Sequence, residues 1–559
     1  MDTRIVSQPS CRGEERTPSM HSVLLIAAVC GLFAGCSHQD RMKDVIAPFE
    51  KGDYGRAAEA MRPLLKDRRD SEKDRTIYEL EAGAVFAASG DLTSAMKSLG
   101  IADERMWEYL DDAPEVRISE QAAAILTNQT IIAYVGRPHD RIMCTTYQGL
   151  NHLALGDLEA AGVSFRRALE WQRDAVDKNQ KEIDALEEKA TEASKEKSYD
   201  AKAALEDAKV KDGLESAYGP LRELRGYADF EIPYATYLRS LQQTLTGRND
   251  DLAQATVGFR RVAGMLPENE RAYVADAALA AERATQGSAL PATVHVFVES
   301  GMAPWLREFR LDIPLFIREV PYVGVAFPVL ELKGGAIAEF TAVAGGETRR
   351  SLLLTDMDRV VGDDFNRRLP AIITMTIVSS ATKAIATYFA QQAVYRDNPN
   401  AAIFVALAGA IYQIATNSAD LRTWLTLPKF VLYAPVSAPA DGRISIQLGD
   451  GRTIGPLEVE SSGTSIVHLR IPAAGSEPAL RIMRFPGVGQ PVAPKAEKSE
   501  AGSGVSTGAA PEAAAETTTE AAAETTTEAA AETTTEATTE TRTETRTFDT
   551  NETSHTTSG

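Results

Sequence analysis

Cys36 is the residue whose neighbours point most directly to a chemical modification. An apolar run, residues 23–29, leads into small residues and ends in Ala34-Gly35-Cys36. An apolar stretch of this kind followed by small residues has the shape of a secretory leader with a cleavage site. The run is also shorter than the about 20 apolar residues that a membrane-spanning helix needs. The sequence therefore predicts that residues 1–35 form a signal peptide.

The Ala-Gly-Cys ending resembles a bacterial lipobox, although Phe33 stands where that motif usually has leucine. The resemblance implies that Cys36 takes a diacylglycerol and becomes the N-terminus of the mature chain. Each CH₂ group buried in the bilayer adds roughly 0.8 kcal/mol to the free energy of membrane binding. Two or three acyl chains, such as palmitate, would therefore anchor the protein firmly. Ser37 follows, where aspartate would resemble an inner-membrane retention signal, and this favours the outer membrane with the body facing the periplasm. An ordinary signal peptide cut nearby and a buried cysteine in a short apolar helix are the alternatives.

Other candidate residues fit no catalytic or metal-binding pattern. Residues 504–508 (GVSTG) match a nucleophile elbow, but no strand precedes them and no helix follows. His139, Cys144 and His152 have spacings that fit no common zinc site, and we interpret them as buried helix positions. The sequence therefore predicts no catalytic residue, no metal and no cofactor.

The charge of the chain is strongly acidic. The net charge is −20 over 559 residues, which argues against nucleic acid as a partner because nucleic-acid binding requires basic patches. Part of this charge lies in a C-terminal repeat of the unit EAAAETTT that begins at Glu512. Glutamates four residues apart repel one another on a helix, and no residue here builds a core. Residues 491–559 are therefore predicted to be a disordered acidic tail.

Gly-Asp pairs recur in the first half of the chain, at Gly52-Asp53, Gly90-Asp91 and Gly156-Asp157, with a looser copy at Gly247. Each lies between segments with apolar residues at helical spacing, where glycine supplies the turn and aspartate can cap the next helix. The pattern resembles tetratricopeptide repeats, most clearly over residues 147–169. The spacings of 38 and 66 residues depart from the family period of about 34. We predict a helical repeat domain over residues 36–289, with an ordinary helix bundle as the alternative.

Residues 171–217 are densely charged, with alanine and leucine at helical spacing. This composition predicts a charged helical arm, either a coiled-coil hairpin that projects from the repeats or a solvated helix face.

Residues 290–490 change to short runs of β-branched and aromatic residues separated by turn signals, which predicts an antiparallel β-sandwich. A helical insertion at about 364–424 interrupts these strands with two apolar segments, residues 370–394 and 401–416. We predict a helical hairpin packed on the sandwich or on the repeats. Membrane insertion is the alternative, which Lys383 and the short second segment disfavour.

A short motif ends this insertion, and its residues are Asp420, Arg422, Trp424, Leu427 and Pro428. Together with residues 301–304 (GMAP) and 326–329 (AFPV), it resembles an uncharacterised family of bacterial lipoproteins with tetratricopeptide-like repeats and this C-terminal domain, over residues 36–475. No activity is established for that family, so the resemblance implies architecture and little chemistry. On physical grounds we expect Arg422 to pair with Asp420, and Trp424 to anchor the insertion to the sandwich. A structural role is favoured over ligand binding.

The sequence thus predicts an α+β fold and a non-enzymatic lipoprotein. Anchored to the membrane by its N-terminal lipid, it would act as a scaffold or regulator of envelope assembly, with the groove of the repeats as the surface for an unidentified envelope protein or peptide. The alternative is an envelope hydrolase acting on peptidoglycan or glycans with a site in the β-rich part. Clustered carboxylates or a Ser/His pair in one cleft would favour the hydrolase, and an open apolar groove would favour the scaffold.

Overall fold

The structure is a computed structural model that describes residues 37–66, 71–111, 133–196, 199–317, 320–397 and 419–488. These residues all belong to one compact unit, Met1–Pro494. Helices dominate the N-terminal part and strands the C-terminal part, which confirms the α+β class. Cys36, the apolar segment 401–416 and the acidic tail lie outside the described residues.

Twelve α-helices precede the first strand in the described part of the chain. In chain order they are α1 (His38–Glu50), α2 (Tyr54–Lys66), α3 (Ser71–Ser89), α4 (Leu92–Asp111), α5 (Pro138–Ala154), α6 (Leu158–Asp174), α7 (Gln180–Glu196), α8 (Ala201–Glu206), α9 (Ala208–Tyr218), α10 (Pro233–Thr246), α11 (Asn249–Met265) and α12 (Ala272–Thr285). A π-helical turn, Ala175–Asn179, joins α6 to α7.

The Gly-Asp pairs form the turns that their residue types predict. Gly52, Gly90 and Gly156 have φ values of 83°, 86° and 79°, in the left-handed region that glycine adopts without a steric cost. The aspartate after each glycine accepts a hydrogen bond from a backbone amide three residues later, and Asp157 accepts from Ala160 N at 2.9 Å. Each turn therefore ends one helix and caps the next.

The helices differ in how many of their sides are covered. On α6 and α11 the buried residues, such as Phe165 and Phe259, form one face. On α5 and α10 nearly every residue is buried. This difference arises because α5 and α10 pack on neighbouring helices and also face the strands that follow in the chain.

The strands are β1 (Thr293–Ser300), β2 (Trp305–Ile317), β3 (Val320–Glu331), β4 (Phe340–Ala344), β5 (Glu347–Arg350), β6 (Leu352–Asp356), β7 (Phe430–Ser437), β8 (Arg443–Leu448), β9 (Thr453–Glu458), β10 (Gly463–Ile471) and β11 (Ala479–Pro486). They form a five-stranded sheet of order β11-β10-β1-β7-β6, a four-stranded sheet of order β5-β4-β8-β9, and a long β2-β3 hairpin.

The five-stranded sheet is buried on both of its faces. On β1, Val296 and Val298 point into an apolar core shared with the four-stranded sheet. The alternate residue Phe297 points the other way and packs on Tyr234 and Tyr237 of α10. Successive side chains of a strand point to opposite faces of the sheet, so neighbouring residues of β1 pack in different cores. The sheet therefore covers one side of the helices, which we call the inner side. One core joins the helical and strand-rich parts.

The strand pairing differs from the antiparallel pattern expected from the sequence. β1 pairs with β7 in the antiparallel direction but with β10 in parallel, for example Phe297 with His468. The short runs and turn signals predict strands but carry no information on which distant strand will be a neighbour. A parallel pair needs a long connection, which here comprises all strands between β1 and β10.

Two further expectations about the helices were wrong in part. The insertion begins earlier than predicted, because helix α13 runs from Met357 to Asp397 and continues through Pro370. The charged arm is not a free hairpin within the described residues. Leu186 and Ala190 of α7 pack against Ala371 and Met375 of α13, so apolar contacts hold the arm on the body.

Helix α13 contains the one stretch of the described residues that is long and apolar enough to cross a membrane. This stretch, Met357–Phe389, has a mean hydropathy of 1.4, and 50% of its apolar window is buried inside the protein. Only its length and composition are those of a membrane-spanning helix, and core helices of soluble proteins share both. It is therefore weak evidence for a membrane span.

Candidate functional site: the cavity at Arg422

Residues 419–428 form an irregular segment that brings the motif residues to the helical part. Arg422 donates from Nε and Nη2 to the two oxygens of Asp420, at 2.9 and 2.7 Å, so the pair anticipated from the sequence is present. Its Nη1 donates to Asp74 Oδ1 of α3 at 2.9 Å. Burial acts to raise the pKa of Asp420, but the charge of Arg422 outweighs it and holds that pKa below its usual value.

Glu81 of α3 binds the next part of the same segment. Its carboxyl group accepts hydrogen bonds from Leu425 N at 2.6 Å, Thr426 N at 3.2 Å and Thr426 Oγ1 at 2.7 Å. Burial raises the pKa of Glu81 to about 8, against the opposing effect of these donors. His38 Nε2 lies 3.9 Å from Glu81 Oε1, and burial lowers the pKa of His38 to about 3. At neutral pH Glu81 therefore holds a proton and His38 is neutral.

Stability is expected to fall with rising pH because of Glu81. The unfolded chain releases this proton near the ordinary pKa of 4.5, whereas the folded chain keeps it up to about 8. The stabilisation is complete below the lower value and is lost as pH rises through the upper one, by at most about 1.4 kcal/mol per pH unit. We expect the free energy of unfolding, measured with denaturant between pH 5.5 and 8.5, to fall less steeply with pH for Glu81→Gln than for the parent. The same slope for Glu81→Gln and the parent would contradict this; the exposed Glu331→Gln is the control.

Trp424 lies in the apolar core that the helices share with the strands and the insertion. It is 1% exposed. Its Nε1 donates to Thr426 Oγ1 at 2.9 Å, and its ring meets that of Tyr147 of α5 edge-on at 5.8 Å. Leu427 and Pro428 are also buried. The structure thus brings the five motif residues together in a segment that joins the helical and strand-rich parts.

A cavity of ≈ 120 Å³ lies beside this segment. Its apolar wall comes from the β2-β3 hairpin, α7 and α13, with Leu306, Leu330 and Phe365 among the contributors. Its polar wall is made by Arg137, His139, Asp364, Arg368, Asp420 and Arg422. Three separate parts of the chain therefore supply its charged groups.

Arg368 forms a second buried ion-pair group in this wall. It donates to Asp364 Oδ1 at 3.2 Å and to Glu182 Oε1 of α7 at 3.0 Å, and it also bonds the side-chain oxygen of Asn179. Burial acts to raise the pKa of Asp364, but Arg368 and other nearby cations outweigh it and lower that pKa to about 2. Both aspartates of the cavity are therefore ionised at neutral pH.

The cavity is suited to binding and not to proton transfer by its carboxyl groups. A general acid needs a carboxyl group whose pKa is raised towards the working pH, and both Asp364 and Asp420 have pKa values that are lowered. His139 is 4% exposed, and its Nδ1 has no hydrogen-bond partner among the described residues. The wall thus offers guanidinium groups and one uncommitted imidazole nitrogen beside an apolar surface.

Sequence reasoning missed Asp364, Arg368 and Glu81. The first two lie four residues apart on one face of α13, and such a spacing of opposite charges is a detectable signal. Glu81 sits among apolar residues of α3 without any such partner. His139 and Cys144 are buried helix positions as interpreted, whereas His152 lies on the same helix but is only half-buried. In the part of the chain that the structure describes, no group of three or more His, Cys, Asp or Glu side chains is placed to hold a metal ion.

The sequence and fold were compared with family models, curated proteins and solved structures, and no match was found.

Proposed function

We propose that this chain is a lipoprotein of the bacterial outer membrane that faces the periplasm and acts by binding, as a scaffold or regulator of envelope assembly. The observation that carries the binding role is the chemistry of the Arg422 cavity. Arginines keep its two aspartates ionised, so these groups cannot protonate the leaving group of a glycoside. This supports binding over the alternative of a glycan hydrolase.

The helical part is proposed to be a divergent tetratricopeptide-like array and the strand-rich part a β-sandwich-like domain. The support for the array is the recurrence of one turn, with glycine in the left-handed region and a capping aspartate, at Gly52, Gly90 and Gly156. The support for the sandwich is the apolar core shared by the five-stranded and four-stranded sheets.

The partner surface is proposed to be the outer side of the helices. The inner side, which we expected to be the groove, is occupied by the chain's own sheet through contacts such as Tyr237 with Tyr433. On the outer helices, Val163 of α6 and Val257 of α11 are 55% and 66% exposed. These two exposed apolar residues are the proposed contact points for a protein partner.

The lipid anchor is proposed to hold the body directly on the membrane. Ser37 caps α1, with its Oγ accepting from Asp40 N at 3.2 Å, and the next residue, His38, is already buried. Consecutive Cα atoms are about 3.8 Å apart. A lipid on Cys36 would therefore lie within one residue of the folded body.

The experiment that tests this proposal is crosslinking in native envelopes followed by purification of the chain. We expect an envelope protein to be captured by the parent and lost both with Cys36→Ala and with Val163→Asp/Val257→Asp. Leu332→Asp, at a residue that is 43% exposed on the strand-rich part, is the matched control and should retain the partner.

Two results would count against the proposal. The first is that Cys36→Ala leaves the chain in the membrane fraction as firmly as the parent, which would contradict the anchor. The second is turnover of cell-wall material by the purified Cys36→Ala chain with no captured partner, which would favour the hydrolase.

A further inference from the structure

A second cavity, which we call the His295 cavity, lies between helices α10–α12 and the five-stranded sheet. Its volume is ≈ 150 Å³, and its walls are mainly apolar, with Leu241, Phe259, Ala277, Ala280 and Pro435 among them. The motif residues of the Arg422 cavity do not line it. All of its lining belongs to the described residues.

A chain of hydroxyl groups leads to the imidazole in the wall of this cavity. Tyr237 donates its hydroxyl proton to the oxygen of Tyr433, and the Tyr433 hydroxyl lies 2.9 Å from His295 Nδ1. Because the Tyr433 oxygen already accepts from Tyr237, its own proton is available for Nδ1. The neutral imidazole then carries its proton on Nε2. Burial supports this form, since it lowers the pKa of His295 to about 3.

The Nε2–H group is a donor that the protein leaves unused. His295 is 8% exposed, and its Nε2 has no hydrogen-bond partner among the described residues. Thr464, which is 5% exposed, also lines the cavity, and no hydrogen bond of its hydroxyl group is present in the described part. A hydrogen-bond acceptor placed in the cavity would bond to this donor without displacing a protein partner.

We propose that the His295 cavity binds a small neutral molecule the size of one aromatic ring that carries one hydrogen-bond acceptor. The ring would fill the apolar space, and its acceptor would face His295 Nε2. A cavity of about 150 Å³ is large enough for benzene. A charged ligand is disfavoured because the buried wall offers no opposite charge; the carboxylate of Asp276 is at the exposed rim.

The test uses acetophenone and ethylbenzene, which have similar shapes and differ in the carbonyl acceptor. Calorimetric titration of the full chain carrying Cys36→Ala should show saturable binding of acetophenone, about fivefold tighter than that of ethylbenzene, as expected for one neutral hydrogen bond. His295→Phe should remove this preference. Ala280→Phe, which adds a ring to the cavity wall, should abolish the binding of both compounds.

The proposal is overturned if the parent binds neither compound, or binds both equally. It is also overturned if Ala280→Phe, or Ala277→Leu should the first variant not fold, binds acetophenone as tightly as the parent. The comparison of the two compounds on the parent needs no variant and remains decisive if the His295→Phe chain is unstable.

Discussion

Replacement of Arg422 by methionine is expected to lower the free energy of unfolding by about 3 kcal/mol. The guanidinium group binds both oxygens of Asp420 and one oxygen of Asp74, and the arginine side chain is 6% exposed. Its removal takes away the principal counter-charge of two carboxylates in a largely buried site. Methionine fills similar space, so the loss is electrostatic and not a packing defect.

Urea unfolding of the full chain carrying Cys36→Ala measures this effect. Arg310→Met is the matched control, since Arg310 pairs with Glu308 at 2.7 Å but is 58% exposed, and exposed pairs contribute about 0–1 kcal/mol. Adding Asp420→Asn to Arg422→Met should restore part of the stability. Equal losses for Arg422→Met and Arg310→Met would show that burial does not govern this ion pair.

Truncation of Trp424 to alanine is expected to lower the free energy of unfolding by about 3–5 kcal/mol. Its side chain is one of the largest that the described core buries fully, and its contact with Tyr147 joins the irregular segment to α5. Alanine would leave a cavity and remove the donor to Thr426 Oγ1. Trp424→Phe should lower the free energy of unfolding by less than Trp424→Ala does, because phenylalanine keeps most of the contact with the Tyr147 ring.

Thermal unfolding of the same variants provides the measurement. Trp107→Ala is the control, because Trp107 is 43% exposed although it also packs edge-on against another tryptophan, Trp171, at 5.2 Å. The control should lose less than half of the stability that Trp424→Ala loses. If Trp107→Ala is the more destabilising change, the irregular segment is not the connection between the two parts that its contacts indicate.

Local features of the fold could be predicted from the sequence because they depend on nearby residues. The turns at Gly52, Gly90 and Gly156 need only a glycine and the aspartate that follows it. The pair Asp420–Arg422 needs two residues on the same segment, and the β-branched and aromatic residues of β1 identify a strand.

The rest of the site depends on contacts between residues far apart in the chain. Arg422 binds Asp74 across 348 positions, and Thr426 binds Glu81 across 345. Neither helix α3 nor the segment 419–428 carries a pattern that specifies the other. For the same reason the sequence predicted an open groove, since the periodicity of α5 and α10 does not show that the sheet will cover them.

The position of β1 between β7 and β10 has a consequence for the order in which the protein acquires its structure. Glu299 of β1 meets Arg470 of β10 across 171 positions. A chain that emerges with its N-terminus first exposes Tyr237 and Phe297, which are fully buried in the folded protein, until Tyr433 of β7 is present. β1 then still lacks one of its two neighbours until β10, which ends at Ile471, has emerged. Pairing of distant strands is slow and transiently exposed apolar surface promotes aggregation, so the incomplete sheet is the vulnerable stage of folding.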